Sequence, residues 1–453
     1  MSDTIAAVAT GTQVSAIGVI RISGDGTLTA VDKLFFPDSG KQMSSYEDRK
    51  LIHGKLVDLD GQIMDLCLCT VSRGPHSYTG EDTAEFQCHG SPAVLRQTMD
   101  ALSHLGVRSA GPGEFTKRAF LNGRMGLTQA EAVIDIIDAQ TADVAKNAVG
   151  QLGGALQEKA DAIYSNLVDM CSHYHAVLDY PDEDIEDFEL EQYRQTLRSS
   201  IQELQRLLDT YDRGKLMQEG IPTAIVGRPN AGKSSLMNAL LGYDRAIVTE
   251  IPGTTRDTIE EKANIGGTTL RLIDTAGVTE DTEDVVERIG VQRSREAMEK
   301  AELVLMLTDG QEEMTEEDWD LFRQAKDNPR FLLIRSKSDL NDRGDGELEG
   351  VPVISLSART GEGMDKLETA VRKLFPIPEV PSGEILTNLR QADAVRRAKN
   401  VMEDAWQSME SGATPDIVLT QIQDAMKLMG ELSGKTVGED ITNRIFSRFC
   451  VGK

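Results

Sequence analysis

Val226-Gly227-Arg228-Pro229-Asn230-Ala231-Gly232-Lys233-Ser234-Ser235 is a complete Gly-x-x-x-x-Gly-Lys-Ser phosphate loop. The apolar run Ala224-Ile225-Val226 comes directly before it, and the helix-like Leu236-Met237-Asn238-Ala239-Leu240-Leu241 directly after. The motif needs that strand-loop-helix context. Gly227 and Gly232 let the backbone curl so that successive amide N–H groups point at phosphates, and the following helix turns its positive N-terminus toward them. Asn230, Ala231 and Ser235 complete the nucleotide-facing stretch. Lys233 is expected to reach the β- and γ-phosphates and Ser234 to ligate magnesium. These residues predict binding of a nucleoside triphosphate in a Ras-like P-loop domain.

The segments that follow predict which nucleotide. Gly253-Thr254-Thr255-Arg256-Asp257 fits a first switch, with the Thr255 hydroxyl completing the magnesium shell, and Thr249, Glu250, Ile251 and Pro252 just before it are candidate nucleotide-binding residues. Leu270-Arg271-Leu272-Ile273-Asp274-Thr275-Ala276-Gly277 reads as a strand ending in an acid and a glycine, the Walker B and second-switch arrangement. The strand-like Phe331-Leu332-Leu333-Ile334 delivers Arg335-Ser336-Lys337-Ser338-Asp339 at the Asn-Lys-x-Asp position. An aspartate there accepts two hydrogen bonds from the N1–H and N2–H₂ edge of guanine, which adenine does not offer, so Asp339 argues for GTP. Ser336 stands where the pattern has asparagine. A hydroxyl replaces only part of an amide's bonding, so somewhat weaker binding is expected. Ser357-Ala358-Arg359, after Val353-Ile354-Ser355-Leu356, matches the last guanine-contacting loop.

Hydrolysis needs a group that positions water, yet Val278 follows Gly277 where Ras-like enzymes carry glutamine. Asn230, beside the β- and γ-oxygens, and Glu287, in Val286-Glu287-Arg288-Ile289-Gly290, are the candidates. Glu280 and Glu283 remain as alternatives to Glu287.

At 453 residues the chain exceeds one such domain, and two or three cores are expected. Before residue 120, short apolar runs alternate with Gly, Pro and Asp: Ala16 to Gly24, Asp65 to Val71 and Thr83 to Gly90 read as strands, and Pro92 to Leu105 as a helix. Cys67 and Cys69, two apart, would face one side of a strand as buried small hydrophobes. From Thr128 the period becomes helical, opening with the capping box Thr128-Gln129-Ala130-Glu131. Helical pattern runs to about Met217 and resumes after Pro376-Ile377-Pro378-Glu379-Val380-Pro381. The reading is multidomain α/β: an α+β domain over 1–120, helical segments over 121–219 and 378–453, and a G domain over 220–377 inserted into the helical one.

The start lacks the basic region of a signal peptide, no apolar run is long enough to span a membrane, and five scattered cysteines make no disulfide framework. A cytoplasmic protein without membrane contact is expected. The six histidines, His173-Tyr174-His175 among them, make no metal set. The formal net charge of −26 argues against tight unaided RNA binding. The chain ends Phe449-Cys450-Val451-Gly452-Lys453, a thiol near a chain end.

Taken together, the phosphate loop with Asn230, the Glu-Arg-Ile-Gly context of Glu287 and the terminal Cys-Val-Gly-Lys resemble the MnmE (TrmE) family of tRNA-modifying GTPases, and the likeness runs end to end. It implies a potassium ion in place of an arginine finger, held by Asn230, Thr249, Ile251 and Thr254, with Glu287 catalytic and hydrolysis dependent on pairing of G domains in a homodimer. It further implies an N-terminal domain that dimerises and binds 5-formyl-tetrahydrofolate or a related tetrahydrofolate, at positions matching Arg21, Glu81 and Arg124 and with Lys453 of the tail, and it makes Cys450 of the terminal motif a candidate catalytic residue. An FAD-dependent MnmG-type partner, joined in a heterotetramer, would carry much of the tRNA contact. The rival reading is a GTP-dependent ribosome-assembly factor, whose relatives share the asparagine-bearing loop but usually add a basic RNA-binding module. A stand-alone folate-dependent transferase would leave the GTPase motifs unexplained.

Overall fold

The computed structural model describes residues 3–179, 187–243, 261–273, 295–436, 438–447 and 449–452. They fall into two compact units, one of Met1–Ile134, Gln151–Arg198 and Asn400–Lys453, the other of Asp135–Gly150 and Ser199–Lys399.

The first unit contains strands β1 (Ile5–Val8), β2 (Ser15–Ser23), β3 (Phe35–Pro37), β4 (Ile52–Val57), β5 (Ile63–Ser72), β6 (Thr83–Gly90) and β7 (Arg108–Ser109). They make one sheet in the order β3-β4-β5-β6-β2-β1-β7, antiparallel except for the β1–β7 pair. Two-residue periodicity decides the faces. Cys67, Cys69 and Val71 of β5 point inward with Ile20, Ile22, Phe86 and Leu102, as the sequence spacing requires. The helix Pro92–His104, one residue shorter than read from sequence, opens on proline at its first turn and lies against this core. It approaches closely because residue 18 is glycine: a Cβ there would stand 2.8 Å from a Leu95 methyl. On the open face Phe36, Lys55 and Leu66 are successive cross-strand partners, and Ile17 pairs with His89. Of these, Phe36, Leu66 and Ile17 are 51%, 51% and 60% exposed.

The helices Ala155–Asp179 and Pro415–Ser433 of this unit pack on each other. Lys435 tightens the pair, its Nζ 2.7 Å from Asp161 Oδ1 and 4.3 Å from the Tyr164 ring centre. The capping box read at Thr128 is not formed. The helix starts one residue earlier, as Leu127–Asp138, so Thr128 already lies inside it and its buried hydroxyl donates to Gln157 Oε1 (3.0 Å). Gln129 instead accepts from the amide of Gly126 (2.9 Å).

The second unit holds β8 (Ile221–Gly227), β9 (Glu261–Ile265), β10 (Thr268–Leu272), β11 (Leu303–Asp309), β12 (Phe331–Ser336), β13 (Gly346–Leu348) and β14 (Val351–Ser355). The order is β13-β14-β12-β11-β8-β10-β9, parallel but for the edge strands β9 and β13. A parallel sheet is covered on both faces, so its strands read as unbroken apolar runs. Leu303, Leu305 and Leu307 pack with the helices Lys233–Tyr243 and Met364–Leu374. Val304 and Met306 pack with the helix Glu316–Ala325, whose start Thr315 and Asp318 close in a full capping box. This is the doubly wound G-domain architecture, inserted in chain order between helical segments.

Candidate functional site

Loops leaving the C-terminal ends of parallel strands carry ligand sites in open α/β sheets, and three of them, after β8, β12 and β14, carry the nucleotide motifs. The phosphate loop is curled: Gly227, Asn230 and Gly232 have φ of 151°, 62° and 95°. A side chain at 227 would place its Cβ 2.5 Å from Leu307 O, so only glycine lets the loop leave β8 there. Lys233 Nζ donates to the carbonyls of Gly227 (2.9 Å) and Arg228 (2.8 Å), which parks the ammonium over the loop. Arg228 Nε lies 2.8 Å from Asp318 Oδ2, a carboxylate buried in the capping box, and this ties the loop to the helix Glu316–Ala325. Ala231 is buried, Ser234 half-buried, and Ser235 and Asn230 exposed.

In the loop after β12 Asp339 is held on both oxygens. Ser357 Oγ donates to Oδ1 (2.6 Å), and Arg359 Nε (3.1 Å) and Nη2 donate to Oδ2. The Ser357 hydroxyl first, and then the Arg359 guanidinium, keep its carboxyl below the usual aspartate range. Lys337, at φ 61°, has its Nζ on Asp309 Oδ2 at 2.7 Å. Ser336 is buried, and its hydroxyl donates to Thr308 O (3.1 Å), back into the sheet. Ser338 anchors the loop through its amide on Leu356 O (3.3 Å), and Ala358 packs on the core. The sequence candidates at 249–255, 274–277, 280, 283, 287 and 453 lie outside the described residues.

A second constellation forms in the first unit around the loop after β5. Arg21 lies on β2 with its Nε on Glu85 Oε1 (2.9 Å) and its guanidinium 5.5 Å and 5.8 Å from the ring centres of Tyr78 and Phe115. Glu81 accepts from Ser23 Oγ (2.8 Å) and from Arg118 Nη1 (3.0 and 3.3 Å). Arg124 is exposed but anchored by Nε on Ser77 O (3.1 Å). The structure thus brings Arg21, Glu81 and Arg124 to one loop, 77–81. The C-terminal tail comes to the same place. Phe449 is buried against Phe446, their ring centres 5.2 Å apart, and Gly113 N donates to Cys450 O (3.3 Å). Val451 bridges Pro112, and Gly452 O is 3.5 Å from Arg21 Nη1. The Cys450 thiol is exposed.

Two family models divide the chain between them, GTP-binding protein TrmE N-terminus over residues 4–124 and MnmE helical domain over residues 127–450. The chain belongs to the MnmE family of tRNA modification GTPases. A tRNA modification GTPase MnmE of Symbiobacterium thermophilum is 41% identical over 456 residues, covering all of this chain and 99% of its own. That of Clostridioides difficile is 39% identical with both chains fully covered. A solved Aquifex aeolicus Era variant bound to GDP and aluminium fluoride aligns with 40% of this chain and 66% of its own at 27% identity, with a TM-score of 0.26.

For a member of the MnmE family, the residues that sequence reasoning missed are those supporting the second constellation: Ser23, Tyr78, Phe115 and Arg118. Nothing local marks them, because Arg118 meets Glu81 across 37 positions of chain. Among the described residues Asp65, Cys67 and Cys88 also bring their donor atoms within 4.8 Å of one another. Asp65 already accepts from Leu66 N (2.8 Å), His89 N (2.8 Å) and His89 Nδ1 (2.7 Å). Its hydrogen bond to Cys88 and burial push the Cys67 thiol up, so it stays protonated and packs as an apolar residue.

Proposed function

We propose that this chain is a potassium-activated, dimerisation-dependent GTPase that works with an FAD-dependent MnmG-type partner. Together they would install an aminomethyl or carboxymethylaminomethyl group on C5 of the wobble uridine of certain tRNAs, with the one-carbon unit drawn from a tetrahydrofolate. The observation that carries this reading is the pairing, in one chain, of a curled phosphate loop with a second constellation on which an exposed thiol is docked. A ribosome-assembly switch has no use for the latter.

The chain's own groups divide the work. The loop 227–235 presents amides and Lys233 to the phosphates, and Asp339 reads the guanine edge while Ser357 holds it in place. Ser234 sits in the first helical turn, where its hydroxyl fits a magnesium ligand, with Thr255 and Asp274 completing the set. Asn230, exposed inside the loop, fits a potassium ligand together with Thr249, Ile251 and Thr254. A cation bound there would neutralise charge developing between the β- and γ-phosphates. Glu287 would position the attacking water. In the first unit, Glu81 suits the pterin N–H edge, Arg21 and Arg124 suit the glutamate-tail carboxylates, and the tail that carries the Cys450 thiol reaches Arg21 through Gly452 O; Lys453 is a further candidate contact. The exposed apolar residues Phe36, Leu66 and Ile17 support a homodimer, since a second copy would remove them from water. The net charge of −26 supports leaving most RNA contact to the partner.

Nucleoside mass spectrometry of tRNA from cells lacking the gene, with and without a rescuing copy, tests the reading. Loss of the modified wobble uridine, restored by the intact chain, is expected. Unchanged wobble uridine would move the ribosome-assembly reading to first place. Turnover should fall when sodium replaces potassium; equal rates in the two salts would remove the potassium assignment. Glu287→Ala and Asn230→Ala should cripple hydrolysis while leaving GTP binding largely intact.

A further inference from the structure

We propose that Arg359 sets guanine-nucleotide affinity by competing with the base for Asp339: its guanidinium occupies the carboxylate oxygen Oδ2 that the guanine edge must also use, so the base binds by displacing it. This rests on the reading of Asp339 as the guanine acceptor given above. Two parallel N–H groups on a purine edge meet a carboxylate one per oxygen, and each oxygen offers about two lone-pair positions. On Oδ2 both are taken, by Arg359 Nε (3.1 Å) and Arg359 Nη2. On Oδ1, Ser357 Oγ donates at 2.6 Å. The base therefore meets an acid that already carries an arginine.

Of the three side chains, the arginine is the one that can leave. The Asp339 side chain is only 10% exposed, whereas that of Arg359 is 74% exposed. Among the described residues Arg359 has no other hydrogen-bond or ion-pair partner. Ser357 is buried, and its loop closes without the arginine: Ser357 N donates to Glu362 O (2.9 Å), Gly361 N to Ser357 O (2.9 Å) and Thr360 N to Ser357 Oγ (3.3 Å). Turning Arg359 out to solvent thus leaves the loop intact and Asp339 anchored. An ion pair with one partner this exposed is weak, because the guanidinium hydrates readily when released. Arg359 is therefore a light competitor that lowers affinity without closing the site.

The test is the affinity of the full-length chain for a fluorescent GDP analogue, at low and high salt, in Arg359→Ala and Arg359→Lys, with melting temperatures taken to confirm folding. We expect Arg359→Ala to tighten binding by about three- to fivefold at low salt, Arg359→Lys to fall between it and the native chain, and the gain to shrink at high salt, where the exposed pair is screened. Removing a positive charge would otherwise weaken the binding of an anion, so the sign is diagnostic. Unchanged or weaker binding in Arg359→Ala overturns the proposal, and so does a gain that high salt leaves undiminished. A second arm uses Asp339→Asn, whose amide suits xanthine: it donates to the C2 carbonyl that replaces guanine's amino group and still accepts from N1–H. With a fluorescent XDP analogue, adding Arg359→Ala to Asp339→Asn should change affinity little. A gain there as large as in the native background overturns the proposal, because the arginine would then act elsewhere than on the carboxylate. If Asp339→Asn does not fold, the salt comparison decides. An Asp339→Asn chain that still prefers GDP to XDP defeats the guanine reading of Asp339 itself, a different failure.

Discussion

The phosphate loop takes its residues from one unbroken stretch, 227–235, whereas the constellation at Glu81 draws on 21–23, 77–81, 114–124 and 450–452. In the first, the backbone makes most of the site: curled amides, a helix N-terminus and glycines chosen for φ. In the second, side chains carried by β2, the loop after β5, the helix Glu114–Leu121 and the tail converge, and each is held by another. A site made of backbone survives only if its sequence is contiguous, and so it leaves a motif. A site made of converging side chains leaves charged residues at unremarkable spacings.

If that contrast is sound, the contiguous site should fail at a single residue. Lys233→Ala is expected to lower single-turnover GTP hydrolysis by roughly 10³-fold, since the ammonium is the charge proposed above to meet the phosphates. Near-normal turnover would break the comparison at its firmer side. In the dispersed site the tail is the weakest link, and Phe449→Ala should remove about 3 kcal/mol of its anchoring. Hydrogen exchange at the Gly113 amide, which donates to Cys450 O, should then quicken by roughly a hundredfold. No change there would show that the tail is held by Val451 and Gly452 instead.

Charge gives the next handle. Burial raises the Glu114 carboxyl, but Arg108, the Gly111 amide and Arg118 outweigh it and bring it down to about 2 from an ordinary 4.5. A depressed carboxylate contributes stability above its unfolded pKa and loses it as pH falls, here between about 4.5 and 2. Glu114→Gln should therefore cost on the order of 2 kcal/mol at neutral pH and flatten the acid limb of a denaturation series. An equally steep limb in the variant would sink the assignment. The smallest effect is expected at Ser336→Asn, which offers the base the amide that the native hydroxyl, turned into β11, withholds. Guanine-nucleotide affinity should rise by about three- to tenfold, read with a fluorescent GDP analogue.

In the second unit β8, β10, β12 and β14 could be read from sequence because each is an apolar run leading into a motif, whereas β9, β11 and β13 lead into none and went unread. Three of the first unit's seven strands, β2, β5 and β6, were legible from the sequence, but β1, β3, β4 and β7 were not, nor was the order, since pairing β2 with β6 is a long-range choice. The capping box at Thr128 misled for a similar reason: Thr-x-x-Glu marks a helix start only if the helix begins there, and Gln157 offered the Thr128 hydroxyl a buried partner instead.

Sequence by itself determined the phosphate-loop motif, the acid at the Asn-Lys-x-Asp position, the α+β and G-domain patterning and the membership in a family, because each is written in local spacing or in long end-to-end likeness. Tertiary structure alone decided that the Ser336 hydroxyl turns into the sheet onto Thr308 O, that Arg118 and Ser23 grip Glu81, and that the tail docks through Cys450 O on Gly113 and Gly452 O on Arg21. These outcomes depend on which distant side chains compete for each donor and acceptor, and that competition exists only once the sheet order has brought them within hydrogen-bonding reach.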